Sequence, residues 1–268
     1  MSTIIYSSPI FGPIHSRRLG TSLGINLMPS DGKLCTFDCI YCECGFNHDH
    51  RPTLPRPTRE EVAVALEEKL KAMIVEGLVP DVITFAGNGE PTAHPHFPEI
   101  IDDTIRLRDC YCPHARVSVL SNATFIHRPK VFKALLRVDN NIQKLDTVDD
   151  NFIRCVDRPT SPNYRAADIV QQLQHFQGHV IIQTMFLKKK EAAPSGGRLE
   201  GAFLLDNTTE QFVAPWLQAI KEISPQAVMV YTIDRETPDA TLHKATHEEL
   251  DSIRDRVIAM GIPCTASY

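Results

Sequence analysis

The chain alternates between two hydrophobic periods. Val62, Leu66, Leu70 and Met73 recur at helical spacing behind Thr58 and Glu61, which form a capping box, and Gly77 stops that helix. Further helices are predicted around Pro98–Arg108, from Pro129 to Leu136 and from Ala166 to Gln177. Two more are expected behind Thr208/Gln211, running to Ile223, and behind Thr246/Glu249, ending at Gly261. Between them lie short apolar runs that read as strands: Leu23–Met28, Asp81–Ala86, Arg116–Leu120, Gln143–Asp146, His179–Met185 and Ala227–Ile233. Strands separated by helices imply βαβ units and a parallel sheet. Six such steps are fewer than a closed eight-fold barrel needs, so the expected fold is α/β, a partial (β/α)6 TIM-like barrel. No linker separates two domains. Residues 1–268 are expected to form a single core, with an N-terminal extension at 1–21 and a mobile, charged and Gly-rich loop at 188–201. Trp216, on an amphipathic helix, is expected in the core.

Composition adds exclusions. With 268 residues, 43% hydrophobic and 23% charged, the chain is long enough for a large core and is neither disordered nor fibrous. No apolar run approaches the ~18 residues of a membrane span, and the start lacks a basic, then apolar, leader. A cytoplasmic protein without membrane contact is expected. The net charge of −5 argues against holding nucleic acid by bulk charge, although a local basic groove would suffice for RNA.

The eight cysteines change the picture most. Without a secretory leader they point to metal or catalysis rather than to disulfides. Cys35, Cys39 and Cys42 form a C-x3-C-x2-C on an irregular loop. Three thiolates this close suit an iron–sulfur cluster, whereas structural zinc takes four ligands, commonly as two separated C-x2-C pairs. Three cysteines leave one iron of a [4Fe–4S] cluster open, and an open metal position is where a ligand binds. Cys44 stands nearby as a bystander. If it served instead as a fourth ligand, the chain would be a non-catalytic electron-transfer protein. The segment Gly87-Asn88-Gly89-Glu90-Pro91 ends the second predicted strand. Its glycines permit close backbone approach to a ligand, and Glu90 offers a carboxylate to a cation. Ser121 and Asn122 end the third strand and Asp146 the fourth, at the edge where such folds place their sites.

Taken together, the cysteine motif, with Tyr41 directly before Cys42, and the GNGEP segment resemble the radical S-adenosylmethionine (SAM) superfamily. The segments FGPIHSRRLGTSLGINL, FDCIYCECG, SNAT and KLDTVDDNFIRCVDRP resemble its wyosine-synthase-like branch. No cysteine precedes Cys35, so a single-cluster member is expected. The resemblance implies that Cys35, Cys39 and Cys42 hold a [4Fe–4S] cluster. It further implies that the open iron binds the amino and carboxylate groups of SAM. Reductive cleavage would then give methionine and a 5′-deoxyadenosyl radical, which abstracts hydrogen from a substrate. Tyr41, Gly87, Asn88, Gly89, Glu90, Ser121, Asn122 and Asp146 become candidate SAM contacts: Glu90 for the methionine ammonium, Ser121 and Asn122 for the ribose or carboxylate, Asp146 for a ribose hydroxyl and Tyr41 for the adenine. No catalytic residue is assigned. A low-potential donor of flavodoxin or ferredoxin type is the expected partner. The substrate is expected to be a nucleoside, tRNA or small molecule, with peptide or protein modification as the alternative. Arg17, Arg18 and Arg158 are candidates for an anionic ligand, and His94 or His96 for a pocket wall. His48 and His50 lack a second pair to complete a metal site, and Cys110, Cys112 and Cys155 lack the pattern of a second cluster.

Overall fold

A computed structural model describes residues 3–16, 20–190 and 205–268. It divides into two compact units, one built on Ile4–Thr36 and Phe46–Gln143, the other on Phe37–Gly45 and Lys144–Tyr268.

The first unit carries strands β1 (Ile10–Ser16), β2 (Gly20–Ile25), β3 (Val82–Phe85), β4 (Arg116–Ser121) and β5 (Asn140–Lys144), hydrogen-bonded in that order. β1 and β2 are antiparallel and the later pairs parallel. Helices α1 (Arg59–Val75), α2 (Phe97–Tyr111) and α3 (Pro129–Leu135) join them. The capping box of α1 forms as predicted, with Thr58 accepting from the Glu61 amide, and Val62, Leu66, Leu70 and Met73 are its buried residues. Phe85 of β3 meets Phe97 of α2 edge-on at 6.0 Å, which places the apolar face of the strand under the helix. The Arg59 guanidinium forks onto Asp103 at 2.6 and 3.1 Å and ties α1 to α2.

The second unit carries α4 (Asp150–Val156), α5 (Ala166–Gln174), β6 (Ile181–Met185), β7 (Leu187–Lys189), β8 (Leu205–Asp206), α6 (Glu210–Ile223), β9 (Ala227–Tyr231), β10 (Leu242–Lys244), α7 (His247–Ala259) and β11 (Cys264–Ser267). β6, β9 and β11 run parallel, and β10, β7 and β8 make a small antiparallel sheet. Trp216 is fully buried, as expected, meeting Phe186 edge-on at 5.4 Å and donating its indole N–H to Leu145 O at 3.0 Å.

Several boundaries differ from the sequence reading, for local reasons. Within the described part of the segment at 1–21, β1 pairs with β2. The fourth parallel strand starts at Asn140, not Gln143, since its buried Asn140, Asn141 and Gln143 conceal it from an apolar pattern. α4 is only two turns long and is started by Asp149, which accepts from the Phe152 amide at 2.7 Å. The cap of α6 is Thr209 rather than Thr208, whose hydroxyl is taken by Asp206 at 2.6 Å. Of the loop expected at 188–201, residues 191–201 lie outside the described residues, as do Arg17 and Arg18. Among the described residues no helix is long and apolar enough to cross a membrane.

Candidate functional site

In the first unit the GNGEP segment leaves β3 through glycines that nothing else replaces. Gly89 has φ +152°, and a Cβ there would fall 1.9 Å from Leu34 O. That contact is a backbone bridge, Leu34 pairing in parallel with Gly89 and its N–H reaching Asn88 O at 2.8 Å. Gly87, at φ +119°, lies against the Asn26 side chain, which a Cβ would meet at 2.9 Å. The Asn88 amide is buried. Its oxygen accepts from Tyr6 N at 2.8 Å, and its nitrogen donates to Tyr6 O and Pro29 O, both at 2.9 Å. Gly87, Asn88 and Gly89 therefore hold the backbone that leads into the cysteine loop.

Glu90 is buried and caps the short 3-10 turn Pro91–Ala93. One carboxylate oxygen accepts from the Thr92 amide at 3.0 Å and from the Thr92 hydroxyl, the other from the Asn122 amide at 2.7 Å. Burial raises its pKa, and these hydrogen bonds work against that rise.

The SNAT turn brings the next residues to Cys35. Asn122 donates from its side-chain nitrogen to Thr36 Oγ1 at 2.8 Å and to Cys35 Sγ at 3.7 Å, and its oxygen accepts from Thr124 N at 3.1 Å. Thr36 and Thr124 hydroxyls meet at 3.1 Å. Ser121 Oγ accepts from the Ala123 amide at 3.1 Å and steadies Ala123 at φ +64°, a conformation uncommon outside glycine. Thus Glu90, Ser121, Asn122 and Cys35 form one connected, uncharged-donor network.

In the second unit the remaining cysteine loop, Phe37–Gly45, runs along the end of α4. Asp38 N donates to Asp157 O at 3.0 Å and Ile40 N to Val156 O at 2.9 Å. Turns from Cys42 N to Cys39 O and from Gly45 N to Cys42 O shape the rest. Cys39 Sγ donates to Asp157 Oδ1 at 3.7 Å. The Tyr41 hydroxyl reaches the same oxygen at 3.2 Å and also meets Asp146. Lys144 Nζ bridges Asp146 and Asp157, 3.0 Å from the latter, and lies 4.6 Å from the Tyr41 ring centroid. Asp146 also accepts from Met185 N at 2.9 Å. Burial pushes the Asp157 carboxyl up to about 7 against the pull of Lys144. Burial would lower Lys144, but Asp146 and Asp157 raise it well above the usual lysine range. Lys144 and Asp157 escaped the sequence reading. Their available signal was Lys144 between Gln143 and Leu145 in a strand, a charge where the pattern predicts burial.

The donor set fits an iron–sulfur cluster. All eight cysteines are thiols, and Cys35, Cys39 and Cys42 are half-buried on irregular backbone while Cys44 is buried. Among the described residues no three His, Cys, Asp or Glu side chains converge as they would around one metal ion. A cube asks for something else, since each thiolate ligates a different iron.

His94 and His96 both line a cavity of ≈500 Å³ at the start of α1, with Arg56 and Arg59. The carbonyl of Pro57 can only accept, so His94 Nε2 donates to it at 2.9 Å and Nδ1 accepts from His96 N at 3.2 Å. His48 stacks on Phe46, Cys110 and Cys155 are exposed, and Arg158 adopts φ +49°.

The family model for the radical SAM superfamily matches residues 30–190, more than half of the chain. A UPF0026 protein of Helicobacter pylori is 33% identical over 201 residues, covering 73% of this chain and 61% of that one, so the chain spans about three fifths of that relative's length. Among solved structures, a radical SAM methyltransferase from Sphaerobacter thermophilus superposes with a TM-score of 0.64 at 15% identity, over 92% of this chain and 66% of that one. Archaeal TYW1 does so at 0.51 and 12%, over 89% and 71%. Such neighbours have a partial TIM-barrel fold, and this chain shares their α/β plan with mostly parallel strands. Superfamily members are enzymes that use a [4Fe–4S] cluster and SAM. With the CxxxCxxC loop, the buried Glu90 and the matched family model in hand, the chain belongs to the radical SAM superfamily.

Proposed function

We propose that Cys35, Cys39 and Cys42 ligate the [4Fe–4S] cluster, and that residues 1–268 act as a single core that abstracts hydrogen from a nucleoside, free or within tRNA, or from another small molecule. When bound, the cluster supplies the electron that cleaves SAM into methionine and a 5′-deoxyadenosyl radical. The observation carrying the reading is the placement of three half-buried thiols on one irregular loop, with the Asn122 amide directed at Cys35.

Each residue then has a definable task. Gly87, Asn88 and Gly89 hold the backbone at Leu34, one residue before the first ligand. Glu90 receives the methionine ammonium. A carboxylate offers about four lone-pair positions, and its internal donors leave capacity for a charge-assisted contact in a dry site. Ser121 and Asn122 fix the Glu90 carboxylate and Cys35 together, and Asn122 orients the thiolate by N–H donation. Asp146 takes a ribose hydroxyl by exchanging it for the Tyr41 hydroxyl it now holds. Tyr41 borders the adenine. The FGPIHSRRLG and KLDTVDDNFIRCVDRP segments support the wyosine-synthase-like branch, hence a nucleoside substrate. A net charge of −5 places any RNA recognition in local contacts, and a low-potential flavodoxin or ferredoxin in the cytoplasm completes the scheme.

Anaerobic reconstitution with iron and sulfide, followed by SAM and dithionite, tests this. Formation of 5′-deoxyadenosine that is abolished by Cys39→Ala and retained in Cys44→Ala is the expected result. A cluster lost on Cys44→Ala, with no change of the reduced cluster's EPR spectrum on adding SAM, would make the chain an electron-transfer protein instead.

A further inference from the structure

The array around Cys39 places buried charge beside a cysteine loop. Lys144, Asp146 and Asp157 have side chains that are 15%, 1% and 2% exposed. Three donors converge on a single atom, Asp157 Oδ1: the Cys39 thiol at 3.7 Å, the Tyr41 hydroxyl at 3.2 Å and Lys144 Nζ at 3.0 Å. When Cys39 binds iron its S–H is gone, so a carboxylate oxygen then faces a thiolate. Tyr41 has one proton to share between Asp146 and Asp157. Lys144 brings a full positive charge to both carboxylates.

We propose that Lys144 is a positioning residue for the Cys39 corner of the cluster. It screens Asp157 from the Cys39 thiolate, and through that charge it raises the cluster's reduction potential, while Asp157 lowers it. The inference rests on Cys39 being a cluster ligand and goes beyond it, by naming the residues that set how readily the cluster accepts its electron. Buried charge near a cluster acts on its potential, because reduction adds a negative charge to a medium that screens poorly.

The test uses the reconstituted full chain, poised at fixed potentials and read by EPR, with iron content and circular dichroism measured on the same samples. Lys144→Met is expected to lower the ratio of reduced to oxidised cluster about tenfold at a given potential, equivalent to ~59 mV for one electron. Asp157→Asn is expected to raise that ratio, Lys144→Arg to leave it near wild type, and the double variant Lys144→Met/Asp157→Asn to fall between the single ones. If Lys144→Met loses its iron, the sign of the Asp157→Asn shift decides. Shifts of the same sign in both, an unchanged ratio, or iron loss from both overturn the proposal and leave the array a purely structural support. Failure of the underlying reading looks different: the wild type takes up no cluster, or Cys39→Ala keeps one.

Discussion

The two supports of the cysteine loop are built from opposite materials. Cys35 is approached by the Asn122 amide, which the Thr36 and Thr124 hydroxyls hold, with Glu90 anchored on the Asn122 backbone. Cys39 is approached by a carboxylate, itself bridged to a second carboxylate through Lys144 and Tyr41. Neutral donors can be truncated one at a time, each removal leaving a polar group short of one partner. A buried charged array behaves as a unit, because removing the bridging Lys144 cation leaves two anions facing each other in low dielectric. One side of the loop is therefore built to be held, and the other to be balanced.

That contrast can be broken at graded cost. Lys144→Met carries the largest expected effect, about 3–5 kcal/mol of destabilisation in urea unfolding of the cluster-free chain, since a broken buried pair leaves uncompensated charge. A loss below that of Asn122→Ala would erase the distinction. Gly89→Ala follows closely, because its Cβ must displace the Leu34 carbonyl at a backbone angle that favours glycine. It is expected to cost about 3 kcal/mol or more by the same assay and to reduce iron uptake. Asn122→Ala should cost about 1–3 kcal/mol, as Thr36, Thr124 and Cys35 lose a side-chain partner, and Asn122→Asp should not restore the bond to Cys35. The smallest effect concerns the cavity wall. Burial lowers the pKa of His94, so below about pH 6.5 the unfolded chain takes up a proton that the folded chain refuses. Stability is then full above that range and falls as the pH drops through it. His94→Gln should flatten this slope between neutral and mildly acidic unfolding curves, and an unchanged slope would remove His94 as its source.

The difference between the two supports also explains what could be read from the chain. Cysteine spacing and the GNGEP segment announce themselves because glycine and thiol have few other reasons to occupy such positions. The capping boxes at Thr58 and Thr246 were equally plain, since their hydrogen bonds close within four residues. Lys144 and Asp157 stayed hidden because their meaning lies in a contact made across thirteen residues of chain, and a Lys or Asp alone reads as surface. β5 was misplaced for a related reason: a buried strand rich in Asn and Gln has no apolar alternation to display. α4 and β11 were too short for periodicity to accumulate. Gly87, Asn88 and Gly89 are legible as a close backbone approach, but their contacts with the chain itself at Asn26, Tyr6 and Leu34 are not, because those partners lie far away in sequence.

Asn88 has a consequence for how the protein ages. Asn-Gly is the dipeptide most prone to deamidation, because an unhindered following N–H attacks the side-chain amide to form a ring. In the fold the Asn88 amide is gripped by Tyr6 and Pro29, and Gly89 is pinned to Leu34, so the ring cannot close. Every excursion that opens this corner exposes the bond to an irreversible reaction, which leaves a carboxylate where Tyr6 O and Pro29 O require a donor. Conversion of Asn88 to aspartate, followed by peptide mass analysis, is thus a clock for the opening of the segment that carries the cysteine loop.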